Sequence, residues 1–327
     1  MKHEVSARIG AKMSCVSSRE RCRRGFANGA GGRTLYKRKD DSLHYQSFQR
    51  ILCAQVQQIL GDRAEVIFTQ IPQNNGIVRS AILLKTPDAC ISPVIYLDEF
   101  YEWYGEGRSM EELARQIADL YQNGESINQL DLEPFSHYEQ AKYHIFYRLI
   151  NREKNYELLQ DTPHFSYLDL AVVCYYRVPE GPLEGATALL KDKNLAIWKI
   201  TKEDLFYHTW MNTPFRLPGI FTGMNELCKL DSEEEIMYVL TNTEKHFGAA
   251  SMLYPNMLSD IGSQLGEDFY ILPSSVHECI VVPVSGGYKR EELQDVVAEM
   301  NRTQVEPAQV LSDHVYYYER KNRKIFV

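Results

Sequence analysis

The residues best suited to chemistry lie in one short stretch of the sequence, Pro273-Ser-Ser-Val-His-Glu-Cys. A hydrolase needs a nucleophile, a base and a carboxylate that orients the base. Ser274 or Ser275 would serve as the nucleophile and His277 as its base. These residue types predict hydrolysis of an ester or amide if a carboxylate reaches the imidazole.

Two carboxylates are candidates for orienting His277. If residues 276–282 form a strand, Glu278 points to the face opposite His277, because neighbouring side chains on a strand alternate. Asp313, in Leu311-Ser-Asp-His, would have to reach the imidazole from a distant segment. The sequence also lacks the G-x-S-x-G turn that presents a catalytic serine. We therefore favour a turn in which the serine hydroxyls bond backbone amides and the histidine is architectural.

A second group of residues is a candidate binding site. His208 and Asn212 are one helical turn apart, next to Tyr207, and would line a pocket or satisfy the last carbonyls of a helix before Pro214. His314 is the remaining candidate. The chain has 21 tyrosines, and tyrosine buries area while its hydroxyl stays polar. This surplus favours a contact surface, although aromatic packing in the core is the simpler explanation.

Patterns for metals and cofactors are missing. His277 and Cys279 would share one strand face, and His137 and His144 one helix face, but each pair offers two ligands where zinc takes three or four. No GxxxxGK[ST], strand-linked GxGxxG or HExxH occurs. We expect no metal and no cofactor.

Composition limits the class of protein. The chain has 327 residues, of which 44% are hydrophobic, as in an ordinary globular protein. Its apolar runs fall short of the ~20 residues of a membrane helix, so we expect no membrane partner. The seven cysteines contain no CxxC pair, which argues against a zinc ribbon and fits reduced thiols in the cytoplasm.

Charge is unevenly distributed along the chain. Residues 1–40 hold four Lys and seven Arg against three carboxylates, a net +8, and residues 41–327 therefore carry −16. An acidic body repels phosphate backbones, so we do not expect residues 41–327 to bind nucleic acid. The basic arm would contact nucleic acid or anionic lipid, act as a transit peptide, or be a disordered extension, and we favour the extension.

The pattern of elements predicts an α+β fold. Residues 64–69 and 77–84 read as a hairpin around Asn75-Gly76. Helices are predicted over residues 43–60, 110–121, 137–160, 201–211, 248–266 and 289–301, strands over 167–178, 236–240, 268–272, 276–282 and 315–320, and a long loop over 214–223. We expect antiparallel or mixed sheets with helices packed on one side, in two subdomains, residues 41–161 and 162–327.

Several stretches resemble an uncharacterised domain family of unknown function found mainly in gut-type Firmicutes. They include Met237-Tyr-Val-Leu-Thr-Asn, Asp268-Phe-Tyr-Ile-Leu-Pro-Ser-Ser-Val-His-Glu, Thr303-Gln-Val-Glu-Pro and Leu311-Ser-Asp-His-Val-Tyr. The resemblance runs in order from Leu43 to Arg320 and does not include residues 1–40. It implies a bacterial cytoplasmic protein, and it implies no reaction, cofactor or catalytic residue.

The sequence thus predicts a cytoplasmic binding or interaction protein, without catalysis, whose partner is an unknown protein or small molecule. The first alternative is a hydrolase that uses Ser274 or Ser275 with His277 and Asp313. The second is nucleic-acid contact through the basic arm.

Overall fold

The computed structural model describes residues 39–85, 94–123, 135, 137–180, 184–228 and 236–327, with side chains from residue 44. The basic arm up to residue 38 lies outside the described residues, and so do the predictions that it contacts nucleic acid or lipid, acts as a transit peptide or is an extension. All strand pairs of the described chain are antiparallel, and they form three sheets with helices packed between and around them. The predicted α+β class is confirmed.

The first unit is a three-stranded sheet covered by helices. Its elements are α1 (Lys39–Leu60), β1 (Glu65–Pro72), β2 (Val78–Lys85), β3 (Val94–Tyr96), α2 (Asp98–Gly105) and α3 (Met110–Asn123). The strands follow the order β1-β2-β3. Phe48, Leu52 and Val56 recur every four residues of α1, so they share the face that is buried against the sheet and α3.

A capping box at Ser109 fixes the start of α3. The Ser109 hydroxyl accepts the Glu112 N–H at 3.2 Å, and the Glu112 carboxylate accepts the Ser109 N–H at 2.9 Å. Each bond satisfies an amide that the first turn of a helix leaves without a partner.

The second sheet lies in the middle of the chain. Short helices α4 (Tyr138–Ala141) and α5 (Tyr156–Leu159) flank β4 (Ile145–Asn151), and β5 (His164–Tyr167), β6 (Leu170–Arg177) and β7 (Thr187–Leu189) follow. The central strand β6 pairs with β4, β5 and β7. Because β4 and β6 pair across residue 162, the predicted subdomain boundary falls inside one sheet.

The predicted helix over residues 137–160 is wrong, because its centre is β4. Six of the seven residues of β4 are buried, so apolar residues occupy consecutive positions. A strand covered on both faces has no period of two, and periodicity alone does not separate it from a buried helix. The β-branched and aromatic residues at 145–147 are the signal that favours a strand.

The third sheet has six strands. After α6 (Asp192–Trp198) and α7 (Lys202–Arg216) come β8 (Gly219–Gly223), α8 (Met224–Cys228), β9 (Tyr238–Asn242), α9 (Met257–Leu265), β10 (Phe269–Leu272), β11 (Cys279–Pro283), α10 (Arg290–Thr303), β12 (Tyr316–Glu319) and β13 (Lys324–Phe326). The strand order is β13-β12-β10-β11-β9-β8. The largest apolar core joins this sheet to the second sheet and α7, and a smaller one lies beneath α10.

Two further predictions fail in this region. The predicted loop over residues 214–223 is the last turn of α7 followed by β8, because Thr213 anchors the helix by accepting the Tyr147 N–H at 3.1 Å. This tertiary contact carries the helix past Pro214 to Arg216. The predicted strand over residues 276–282 begins only at Cys279, and His277 lies in a bend before it.

No helix in the described ranges combines the length and hydropathy that a membrane crossing requires.

One segment, residues 307–313, joins the three sheets, and we call it the clasp segment. The tip of the β1–β2 hairpin reaches it: Asn74 Nδ2 donates to Ala308 O at 2.7 Å, and Asn75 Nδ2 donates to Pro307 O at 2.8 Å. Asn75 adopts φ 61°, a left-handed conformation that asparagine tolerates better than most residues. Asn155 exchanges two further hydrogen bonds with Asn75, at 2.8 and 2.9 Å.

Other amides satisfy the rest of the clasp segment. Asn151 Nδ2, at the end of β4, donates to Leu311 O at 3.0 Å, and Asn301 Nδ2, on α10, donates to Ser312 O at 2.9 Å. The Leu311 and Ser312 N–H groups donate to the carbonyls of residues 274 and 273 beside β10. The clasp segment therefore connects the β1–β2 hairpin, the second sheet and the third sheet through its own backbone.

We predict that Asn75→Ala lowers the free energy of unfolding by about 2–4 kcal/mol, because it removes three side-chain hydrogen bonds and places alanine at a positive φ. Asn75→Gly keeps that φ accessible and isolates the hydrogen bonds. Asn322→Ala, whose exposed side chain bonds only Glu319, should cost less than about 0.5 kcal/mol. Urea denaturation measures the three changes in the free energy of unfolding. Equal losses for Asn75→Ala and Asn322→Ala would contradict the proposed role of Asn75 in joining the β1–β2 hairpin to the clasp segment.

Candidate functional site

The bend before β11 holds His277 in a fixed, buried position. The side chain is 3% exposed, and its Nδ1 accepts the Phe247 N–H at 3.2 Å. Nδ1 therefore carries no proton. The imidazole stacks on the Phe247 ring with 5.8 Å between centroids and 8° between planes.

The backbone around His277 is equally constrained. Its carbonyl accepts the Thr241 hydroxyl at 2.8 Å, and its N–H donates to Ser275 Oγ at 3.0 Å. A β-carbon at Gly248 would lie 2.6 Å from the His277 carbonyl, so only glycine permits this close approach. These contacts give the Ser275–His277 pair the geometry of a serine-stabilised turn.

The structure does not assemble Ser274, Ser275, His277 and Asp313 into a triad. Both serines are buried, and neither hydroxyl bonds the imidazole. The Asp313 carboxylate accepts from Lys154 Nζ at 2.7 Å and from Asn301 Nδ2 at 2.8 Å, and it makes no bond to His277. Ser275 and His277 are thus bonded to each other within a turn, and Asp313 belongs to the clasp segment.

A different Ser/His/Asp contact occurs around Asp169, a residue to which no motif of the sequence points. Asp169 lies in the tight turn between β5 and β6 and accepts from Ser312 Oγ at 2.7 Å, from His314 Nδ1 at 3.1 Å and from the Tyr316 hydroxyl. The signal in the sequence is a single carboxylate within the apolar run 165–176. We call Asp169, Ser312, His314 and Tyr316 the Asp169 cluster.

The connectivity of the Asp169 cluster does not suit nucleophilic catalysis. In a catalytic triad the imidazole bridges the serine and the carboxylate. Here the carboxylate is the hub, and Ser312 Oγ accepts the backbone N–H of His314 at 2.9 Å while it donates to Asp169. Ser312 is completely buried. The cluster therefore fixes the end of the clasp segment to the second sheet.

The charge states of the cluster follow from its contacts. Burial alone would raise the pKa of Asp169, but the hydrogen bonds from Ser312, Tyr316 and His314 outweigh burial and leave this pKa below its ordinary value. Burial, and then the charge of Asp169, raise the pKa of the Tyr316 phenol. At neutral pH the carboxylate is charged and the phenol is neutral.

Metal ligands are not gathered in the described part of the chain. No group of three or more His, Cys, Asp or Glu side chains there is arranged to hold an ion. The Cys279 thiol, paired in the sequence analysis with His277, is buried and donates to Ala249 O at 3.8 Å, and burial raises its pKa.

The remaining predicted residues lie on α7. Asn212 Nδ2 donates to Lys142 O, and the His208 ring packs against Tyr138 with 5.8 Å between centroids. Both side chains hold the helix against the segment before β4, and Tyr207 points outward. Of the three, the structure therefore leaves Tyr207 as the main exposed group.

Tyr207 is the first of a row of exposed apolar side chains. Tyr207, Met211 and Phe215 are one turn apart and are 70%, 69% and 84% exposed, and Trp210 beside them is 36% exposed. We call these four residues the α7 stripe. The opposite face of the helix buries Leu205, Phe206, Thr209 and Thr213. The sequence signal is that the apolar residues of α7 fall on more than one side of the helix.

The ends of the α7 stripe differ in charge. Glu203, four residues before Tyr207, is exposed near the start of the helix, and Arg216 is exposed next to Phe215 at its end. Burial, and then the positive charge of Arg216, lower the pKa of the nearby His144. The stripe therefore runs from a negative end to a positive end.

We predict that Ser275→Ala combined with His277→Ala lowers the free energy of unfolding by about 2–4 kcal/mol, because the Phe247 N–H loses its acceptor in a buried place. Urea denaturation measures this loss, and hydrolysis of p-nitrophenyl acetate tests turnover. We expect no turnover in the parent protein or the variant. Hydrolysis that disappears in the variant, and persists after the surface change Tyr156→Ala, would establish the hydrolase alternative.

We also predict a pH-dependent effect of Asp169→Asn. The depressed pKa of Asp169 stabilises the fold above about pH 4, the ordinary range of the carboxyl group, and this stabilisation is lost as pH falls through the lower pKa of the folded state. The variant should therefore cost about 1–3 kcal/mol at pH 7 and less at pH 3. Denaturation at both values measures the difference, with exposed Asp62→Asn as control. A loss of unfolding free energy that is the same at both pH values would contradict a charged Asp169 at the centre of the cluster.

Comparison with known protein families gives a match over most of the chain. Residues 45–320 match the profile of the Family of unknown function (DUF5688). No curated protein and no solved structure matches the chain significantly. The matched range covers most of the chain and contains the clasp segment, the α7 stripe and every strand of the three sheets except β13. The chain belongs to the DUF5688 family.

Proposed function

We propose that this protein is a non-catalytic binding protein that docks a partner protein on the α7 stripe. The observation that carries the proposal is the outward projection of Tyr207, Met211 and Phe215 from a helix whose other face is fully packed. Aromatic side chains offer ~150–250 Å² each. At these exposures the stripe presents apolar area on the order of 400 Å², a size at which patches on monomers are often functional.

The composition and rigidity of the stripe favour a protein over a small molecule as the partner. Tyr, Trp, Phe and Met are enriched at protein–protein contacts, and Tyr and Trp also dominate their binding energy. The helix is held by the Thr213–Tyr147 bond and by the Thr201–Asp204 capping box, so little order has to be gained on binding. A convex helix face also lacks the enclosure of a small-molecule pocket.

The charges at the two ends specify the partner further. Arg216 at one end favours a carboxylate on the partner, and Glu203 at the other end favours a cation. We propose a partner with an apolar groove or helix face that carries an acidic group near Phe215 and a basic group near Tyr207. Such complementary charges would set the orientation of the complex.

The proposed compartment is the bacterial cytoplasm. Cys53, Cys174 and Cys279 are free thiols in the described structure, and two of them are buried. Thiols persist in a reducing compartment. The proposal also rests on the resemblance of the sequence to a bacterial family.

The two alternatives have less support. The described residues contain no serine hydroxyl bonded to an imidazole nitrogen, which the hydrolase needs. Contact with nucleic acid through the basic arm concerns residues outside the described part of the chain, and it stays a prediction.

Site-specific photo-cross-linking in the organism that encodes the protein tests the docking face. A benzophenone amino acid at Met211 of the full chain should give a discrete adduct with another protein, identified by mass spectrometry. Phe215→Glu should reduce the yield at least about fivefold, because a carboxylate replaces a contact in an apolar interface. The matched control places the cross-linker at Ile197, which is 67% exposed on α6.

Two results would contradict the proposal. Adducts of the same identity and yield from positions 211 and 197 would show collisional labelling of any exposed apolar residue. An adduct of the chain with itself would show that the stripe is a contact between copies.

A further inference from the structure

A second surface feature lies far along the chain from α7, between α9 and the β12–β13 hairpin. It is a cleft of about 750 Å³. Ser259 and Ser263 line it from one turn of α9, and Arg320, Lys321 and Arg323 line it from the hairpin. Glu267, Asp268 and Val284 complete most of the wall.

The hairpin turn concentrates positive charge. Residues 320–324 read Arg-Lys-Asn-Arg-Lys, four cations in five positions, within a body of residues 41–327 that carries −16. No described carboxylate forms an ion pair with Lys321 or Arg323. Both side chains are exposed at the cleft. A local reversal of charge of this kind attracts anions.

The two carboxylates in the wall are already engaged by the protein. Glu267 accepts the Ser285 N–H and the Ser285 hydroxyl, both at 2.6 Å. Asp268 accepts the Tyr317 hydroxyl at 2.5 Å and the Arg320 N–H at 2.9 Å. These bonds hold the base of the hairpin against the start of β10. Arg320 is fixed in turn, because its guanidinium donates to Gly266 O at 3.0 Å.

We propose that this cleft binds a small anion that carries two or more phosphate groups. Guanidinium and ammonium groups bond phosphate oxygens strongly, and three cations suit more than one negative charge. On the opposite wall the Ser259 hydroxyl adds a neutral donor, while the Ser263 hydroxyl donates to Ser259 O at 2.9 Å. The volume falls within the ~300–1,000 Å³ of small-ligand sites. Val284 is the main apolar contributor to this wall, so the lining suits a polar ligand.

The same observations disfavour a nucleic-acid strand at this place. A strand would extend beyond the cleft over a strongly acidic body, where its backbone is repelled. Glu267 and Asp268 within the wall add to this repulsion. A compact polyanion contacts the three cations of the cleft without touching the remaining acidic surface.

Calorimetric titration of the full chain with inorganic tripolyphosphate at low ionic strength tests the proposal. Lys321→Ala combined with Arg323→Asn should weaken binding about tenfold or more. Asparagine is chosen because Arg323 has φ 52°, which asparagine tolerates. The matched control is Lys324→Ala, which removes a positive charge from the same hairpin outside the cleft and should change affinity less than about twofold.

Every variant keeps residues 1–40, so the basic arm contributes equally to each measured affinity and a difference between variants reports on the cleft. Tripolyphosphate that binds the double variant as tightly as the parent protein would overturn the proposal, because the anion would then bind elsewhere. Equal weakening by the Lys324 control would also overturn it, since net charge alone would explain the effect. A single-stranded oligonucleotide that binds more tightly than tripolyphosphate, and loses affinity in the same double variant, would assign the cleft to nucleic acid instead.

Discussion

The backbone of the clasp segment is the constraint on which the arrangement of the sheets depends. Its carbonyls accept from amides of the β1–β2 hairpin, of β4 and of α10, including Asn74, Asn75, Asn151 and Asn301. A buried carbonyl without a partner costs about 1–3 kcal/mol, so the segment is stable only where these amides converge. Side-chain amides suit this role because each donates and accepts without carrying charge. The three sheets are thus held by hydrogen bonds specific to one geometry.

The clasp segment also determines which polar groups are available for chemistry. It draws Asp313 to Lys154 and Asn301, and it draws Ser312 and His314 to Asp169. On its other side, the Ser275 turn positions His277 beneath Phe247. The serine, histidine and aspartate side chains that resemble a hydrolase triad therefore form hydrogen bonds that connect strands, helices and turns. The α7 stripe and the β12–β13 hairpin lie outside this network, and these are the surfaces to which we assign binding.

Local signals in the sequence predicted much of the fold, and long-range contacts decided the rest. The Asn75-Gly76 turn and the helix starts near residues 110 and 201 depend on neighbours in sequence, and the structure contains them. Strand β4 escapes prediction because it is buried on both faces, and α7 extends past Pro214 because Thr213 bonds a distant strand. Asp169 meets residues more than 140 positions away, which no local pattern reveals. The exposure of Met211 and Phe215 likewise depends on which face of α7 the second sheet covers.

The central claim is that the α7 stripe is covered by another protein in the cell. Hydroxyl-radical footprinting tests it whatever the partner is, because the thioether of Met211 is readily oxidised when exposed. We expect Met211 to be oxidised several-fold more slowly in cells than in the purified protein, while Tyr156, which is 69% exposed elsewhere, changes little relative to its purified rate. Equal relative rates at Met211 and Tyr156 in the two conditions would contradict the claim.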